Sequence, residues 1–240
     1  MANFELISVA DANELASCAA SAWLDEIESA NRAGKPHCVA LSGGRIAQKC
    51  FAATAEQAKT RAVSFARVHF FWADERCVPP TDPDSNFKLA SELLLAPLQI
   101  PSSQIHRIRG EDSPQVAVKI AEAELGRIAP VDKNGRPVLD LIFLGMGEDG
   151  HVASLFPDAP PEILNCAAPF LAIENSPKPP PRRISLSYAA IAAARQVWAL
   201  VSGAGKESAL RESLRAGGQT PLARVIRSRS RPKIFCDISA

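Results

Sequence analysis

Two carboxylates and an imidazole at the end of an apolar run are the residues of this chain best suited to chemistry. Residues Asp140 to Pro157 read Asp-Leu-Ile-Phe-Leu-Gly-Met-Gly-Glu-Asp-Gly-His-Val-Ala-Ser-Leu-Phe-Pro. Asp140 to Leu144 has the length and apolar content of a buried parallel strand, and Gly145, Gly147 and Gly150 suit a turn at its carboxyl end. Ligands of open α/β sheets bind at such ends. The glycines also spell the G-x-G-x-x-G of a dinucleotide site. That reading fails, because a pyrophosphate would meet Glu148 and Asp149, and Pro157, Pro160 and Pro161 leave no room for the long helix that must follow. Proton transfer fits better: an acid orients His151 and stabilises its charged form. The plainer alternative is a glycine turn with a surface histidine.

Three more segments place charge at strand ends. Leu41-Ser42-Gly43-Gly44-Arg45 leads into a helical pattern from Ile46. Glycine turns of this kind present free backbone N–H groups to an anion. Arg45 sharpens the point, since a cation at the positive end of a helix is unfavourable unless something negative lies close by. Ala73-Asp74-Glu75-Arg76 follows an apolar run ending at Trp72, and its acids and arginine suit sugar hydroxyls, a base or a phosphate as well as they suit a structural ion pair. Asp84-Ser85-Asn86 reads as a helix N-cap. Val201-Ser202-Gly203-Ala204-Gly205-Lys206 repeats the anomaly of Arg45, with Lys206 opening a helix. One anionic ligand shared by Arg45 and Lys206 accounts for both.

The elements that must position these loops alternate. A helix is expected over Asp11 to Ala33, with a capping box (Asp11, Glu14) and Gly34 as its stop. Strands are expected at His37–Leu41, Val68–Trp72, Asp140–Leu144, Gln196–Val201 and Lys233–Cys236. Helical patterns lie near Ile46–Lys59, Asn86–Leu95, Ser113–Arg127 and Lys206–Ala216. The alternation predicts an α/β fold, a single doubly wound and mainly parallel sheet with helices on both faces, spanning residues 1–240 as one domain. Ser176-Pro-Lys-Pro-Pro-Pro-Arg-Arg183 is too proline-rich for a helix or central strand and presents three cations on a stiffened loop. The basic run Arg224 to Lys233 reads as a solvated connector before the last strand.

Composition narrows the classes. With 240 residues, 47% hydrophobic and formal net charge +1, the chain can bury a substantial core and lacks the charge of a general nucleic-acid or acidic-membrane binder. No basic region followed by an apolar stretch opens the chain, and no run approaches the roughly 18 apolar residues of a membrane span. A cytoplasmic protein is expected. The six cysteines are scattered without a C-x-x-C pair, so neither a zinc site nor a disulfide framework is indicated.

Taken together, Leu41-Ser42-Gly43-Gly44, Trp72-Ala73-Asp74-Glu75-Arg76 with Asp84-Ser85-Asn86, Gly145 to His151 with Ser154-Leu155-Phe156-Pro157, Pro177 to Arg183, and Gly203-Ala204-Gly205-Lys206 resemble the 6-phosphogluconolactonase family, within the glucosamine-6-phosphate isomerase/deaminase superfamily. The resemblance spans most of the chain. It implies a Rossmann-like fold of the kind shared across that superfamily, and hydrolysis of 6-phospho-D-glucono-1,5-lactone in the oxidative pentose phosphate pathway. On that reading neutral His151 takes a proton from the attacking water, with Asp149 or Asp74 orienting it. Loop N–H groups or Arg76 meet the oxyanion, while Arg45, Arg183 and Lys206, with Ser42, Gly43 and Gly44 of the first glycine loop, hold the 6-phosphate. Neither metal nor cofactor is required, and the expected partner is the small sugar-phosphate lactone, bound by a monomer or small homo-oligomer. One departure stands out: where the family commonly continues Ser-Gly-Gly with Ser or Thr and then Pro, this chain has Arg45, Ile46 and Ala47.

Two other functions compete. A sugar-phosphate deaminase of the same superfamily carries a Glu five residues after the loop histidine, and Phe156, which occupies that position, cannot move protons. A non-catalytic sugar-phosphate sensor would keep the cations without needing His151. It would normally carry a DNA-binding module, for which the chain, beginning almost directly in its first αβ unit, leaves no room.

Overall fold

A computed structural model describes residues 4–133, 135–229 and 231–239. Its main sheet has six parallel strands: β1 (Glu5–Ser8), β2 (His37–Leu41), β3 (Val68–Trp72), β5 (Leu141–Gly145), β8 (Gln196–Val201) and β9 (Lys233–Cys236), in the order β1-β9-β8-β5-β2-β3. The doubly wound parallel sheet is as expected. The chain runs outward from β2 to β3 and then returns to the other side of β2 as β5, so neighbouring loops after β2 and β5 part in opposite directions. Right-handed crossovers put the helices of the two halves on opposite faces. That leaves a crevice at the carboxyl ends of β2 and β5.

The interior strands are legible because both of their faces are covered. All five residues of β2 are buried, as are the first four of β5. Helix α1 (Ala12–Arg32) buries Leu15, Ala16, Ala19, Trp23 and Ile27 along one stripe. Trp23 meets Phe143 of β5 edge-on at 5.1 Å, Phe143 meets Trp198 of β8 at 5.6 Å, and Trp198 meets Phe235 of β9 at 5.4 Å. This aromatic row ties three central strands to α1. The expected capping box forms in altered shape: Asp11 accepts from the N–H groups of Asn13 and Glu14, while Glu14 reaches back to Ala10.

Helix α2 (Arg45–Arg61) follows β2 and packs on α1. Helix α3 (Asn86–Ala90) continues as a π-helical turn over Ser91–Leu95, and α4 spans Pro114–Ile128. The short α5 (Pro161–Leu164) and α6 (Tyr188–Ala193), then α7 (Glu207–Leu214) and α8 (Pro221–Ser228), complete the α-helices of the described residues. None of the helices is long and apolar enough to cross a membrane.

Three features differ from the sequence reading. Asp74–Arg76, read as a loop, is a strand, β4, and with β6 (Phe170–Ile173) and β7 (Arg183–Leu186) it forms a second, antiparallel sheet ordered β4-β7-β6. β4 escaped notice because its three residues are all charged, and β7 because it starts at the end of the proline loop. The edge strand β1 was missed as well, being short and mostly exposed. The solvated connector over Arg224 to Lys233 is corrected: α8 buries Leu222, Ala223, Val225 and Ile226. The arginines there cap carbonyls, Arg224 that of Leu164 at 2.7 Å and Arg229 those of Ala194 and Arg195 at 2.8 and 2.7 Å. A basic run can be interior trim when its guanidinium groups answer helix-end and loop carbonyls.

Candidate active site

A cleft of about 320 Å³ opens at the crevice between β2 and β5, and its walls include Ser42, Gly43, Gly44, Arg45, Asp74, Arg76, His151, Arg183 and Lys206. Nine of the ten expected site residues therefore line one cavity. The tenth, Asp149, stands directly behind the histidine.

The β5 loop builds the proton-transfer pair. Gly150 N–H bonds Gly147 O at 3.0 Å and Gly147 N–H bonds His151 O at 2.9 Å, folding the loop back on itself. This brings the His151 ring against the Gly147 backbone, where an added Cβ would lie 2.1 Å from its Nδ1. Only glycine permits that approach. His151 Nδ1 lies 2.5 Å from Asp149 Oδ1, which also accepts the His151 backbone N–H at 3.2 Å. Asp149 thus fixes the tautomer with the proton on Nδ1 and leaves Nε2 as the basic nitrogen.

Burial lowers the imidazole pKa; Asp149 and Asp74 pull it up, Lys178 pushes it down, and the outcome lies below the ordinary histidine value. His151 is therefore neutral at neutral pH, as a base must be. Burial alone would raise the Asp149 carboxyl, but the His151 hydrogen bond and the charges of His151 and Lys178 bring it below its ordinary value. Lys178 Nζ stands 3.9 Å from Asp149.

Asp74 has a different setting. It is buried, accepting Ser154 Oγ at 2.7 Å and Asn86 Nδ2 at 3.2 Å. No hydrogen bond joins it to His151. Asn86 also presses on Gly43, where an added Cβ would fall 1.8 Å from its Oδ1, so one amide locks the β2 loop to β4. The Asp84-Ser85-Asn86 segment was read as a plain cap. Ser85 does accept Lys88 N–H at 3.2 Å, but Asn86 fastens Asp74 and the Asp84 carbonyl accepts Arg76 Nη1 at 2.7 Å. Asn86 and Ser154 are thus positioning residues the sequence reading missed. Both lay inside the quoted motif blocks, which is the one signal that marked them.

Glu75 points away from the cleft and serves structure, accepting the N–H groups of Arg76, Asn86 and Phe87 at 2.8, 2.8 and 2.7 Å. Burial pushes its carboxyl up to about 7 despite those donors. Arg76 keeps a buried Nε without a hydrogen-bond partner while its side chain lines the cleft.

The cations divide into two kinds. Arg183 is buried and committed: its Nε donates to Pro180 O, its Nη2 to Lys178 O and Pro179 O at 3.0 to 3.1 Å, and its Nη1 approaches Ser154 Oγ at 3.5 Å. It holds the proline loop to the cleft wall. Arg45 and Lys206 are different, for neither side chain forms a hydrogen bond or ion pair among the described residues. Arg45 reaches toward the β8 loop, its Nη2 3.9 Å from where a Cβ on Gly203 would stand. Burial and then the Arg45 charge hold the Lys206 ammonium below its ordinary range. Gly44, the N-cap of α2, offers no side chain to its first turn, and that turn holds no acid. Ser42 is turned inward, donating Oγ–H to Phe143 O at 2.9 Å. Among the described residues, no group of three or more His, Cys, Asp or Glu side chains is arranged to hold a metal ion.

A family model for glucosamine-6-phosphate isomerases/6-phosphogluconolactonase matches residues 10–234. The chain belongs to that family. Within it, the chain is 34% identical over 244 residues to the 6-phosphogluconolactonase of Streptomyces coelicolor, covering 98% of this chain and 93% of that one. It is 39% identical over 175 residues to the 6-phosphogluconolactonase of Haemophilus influenzae, covering 72% of each. The solved 6-phosphogluconolactonase of Trypanosoma brucei superposes with a TM-score of 0.85 at 25% identity, over 98% of this chain and 96% of that one. Each of the five motif blocks contributes to the wall of the cleft, beside Ala12, Ile46 and Lys49 from outside them.

Proposed function

We propose that this chain hydrolyses 6-phospho-D-glucono-1,5-lactone to 6-phosphogluconate. The observation that carries the reading is an imidazole, fixed by Asp149 at 2.5 Å, in one cleft with two cations, Arg45 and Lys206, that are unpaired among the described residues. A substrate with an electrophilic carbonyl and a phosphate several bonds away answers both ends.

Arg45, Lys206 and the open first turn of α2 bind the 6-phosphate, which draws the ring over His151. Water attacks the C1 carbonyl as His151 Nε2 takes its proton, and the imidazolium is stabilised by Asp149. The carbonyl oxygen becomes an oxyanion, met by Arg76 or by N–H groups of the glycine loops. Collapse breaks the bond from C1 to the ring oxygen, which recovers the proton from His151, and the new acid ionises. Asp74, held by Ser154 and Asn86, shapes the wall of the cleft beside Arg76 and tunes the imidazole through space.

The test is acid release from freshly generated lactone at neutral pH, with and without the purified protein. Release well above the spontaneous rate is expected. Release at the spontaneous rate alone would reject the reading.

A further inference from the structure

The His151 imidazole has a second neighbour that the mechanism does not use. Phe156, itself buried, lies with its ring centroid 4.6 Å from that of His151 at an angle of 34°. Arg183 also approaches it, its guanidinium carbon 5.8 Å from the ring. Behind Phe156 lies a separate cavity of about 360 Å³, bounded by Asp149, Ser154, Phe156, Ile163, Ile173 and Pro177. His151 faces the substrate cleft, whereas Asp149 borders the rear cavity. Phe156 stands at the partition between them.

We propose that Phe156 is a positioning residue for the hydrolysis, its ring bracing the imidazole that Asp149 grips at the edge and sealing it from the rear cavity. The inference rests on His151 acting as the base. Asp149 fixes one ring nitrogen and the Gly147 backbone lies close to that same edge, so the Phe156 ring supplies a further contact against tilting. A flat apolar partner resists that tilt and excludes water from one face.

The sign of the pH effect follows from the groups around the ring. Asp149 from the same loop and Asp74 from β4 favour the imidazolium, Lys178 from the proline loop opposes it, and burial opposes it most. Arg183 from β7 adds a cation on the Phe156 ring. A smaller side chain at 156 admits water to the imidazole, so the charged form gains solvation and the pKa rises. The neutral base is then lost at a higher pH, and the acid limb of the rate profile moves up.

Nitrogen NMR titration of the four histidines, with His151 assigned from the spectrum of His151→Gln, measures this directly. In Phe156→Leu the His151 pKa should rise by about half a pH unit or more, a modest part of what burial can impose. The acid limb of kcat/KM should follow it, and kcat should fall about tenfold with KM little changed. Phe156→Tyr, which keeps the ring, should titrate as wild type. If Phe156→Leu does not fold, Phe156→Met carries the same comparison. An unchanged His151 titration and unchanged kcat in the aliphatic variant would overturn the proposal. Near-normal turnover in His151→Ala would instead remove the general-base reading on which it rests, a distinct result.

Discussion

The Arg45 charge stands close enough to depress the Lys206 pKa, and among the described residues no carboxylate is in ion-pair contact with either. Such an arrangement costs stability unless an anion binds, and it lies at the end of the cleft where α2 begins. Arg45→Ser should therefore weaken 6-phosphogluconate by about 1.5 to 3 kcal/mol, the scale of a charged hydrogen bond, and leave gluconate unaffected. The ligand-free variant should be as stable as wild type or slightly more so. Calorimetric titration of both ligands into both proteins decides it: equal affinity for 6-phosphogluconate would assign the phosphate to Lys206, Arg183 and backbone N–H groups without Arg45. At this scale the sequence went far. It marked both residues of the pair and the cations Arg45, Arg76, Arg183 and Lys206, but not Lys49, which also lines the cleft, and it left Asp74 and Asp149 as equal candidates to orient His151, because chain order says nothing of which carboxylate a folded loop brings to Nδ1. It also could not show that Arg183 spends most of its donors on the proline loop.

The loop after β5 positions the histidine through a close approach of side chain to backbone. Gly147 is not in the left-handed region, so alanine there is free of backbone strain, and the atoms nearest its methyl group would be those of the His151 ring and Asp149 Oδ1, 2.7 Å away. Gly147→Ala should accordingly fold normally and lose about 100-fold in kcat, the scale of misplacing a reacting group by roughly an ångström, while affinity for 6-phosphogluconate is largely kept. Steady-state kinetics beside a binding titration checks this, and wild-type kcat would show that the loop tolerates a displaced imidazole. Among elements, the interior strands were readable because continuous apolar runs such as Val39–Leu41 and Ile142–Leu144 admit few other fates. β4 was not, since Asp74 and Arg76 face the cleft while Glu75 answers backbone N–H groups, and the strand is held by pairing with β7 rather than by hydrophobicity. In α8 the buried Leu222, Val225 and Ile226 were overshadowed by the arginines between and beyond them.

For the molecule as a whole, one parallel sheet brings the loops after β2, β5 and β8 to its carboxyl edge, and the small β4-β7-β6 sheet closes the cleft with Asp74, Arg76 and Arg183. The chemistry asked of this assembly is attack on an already electrophilic carbonyl, and the described residues offer no clustered ligand set for a metal. Prolonged chelation should leave turnover unchanged; loss of activity restored by one divalent ion would contradict the account. The central claim is that His151 is the base of a lactone hydrolysis, and the maximal rate of His151→Ala on freshly generated 6-phosphogluconolactone, corrected for spontaneous hydrolysis, tests it most directly. A fall of about 100-fold or more is predicted, with the fold and 6-phosphogluconate affinity intact. Near-normal turnover in a folded His151→Ala protein would contradict it.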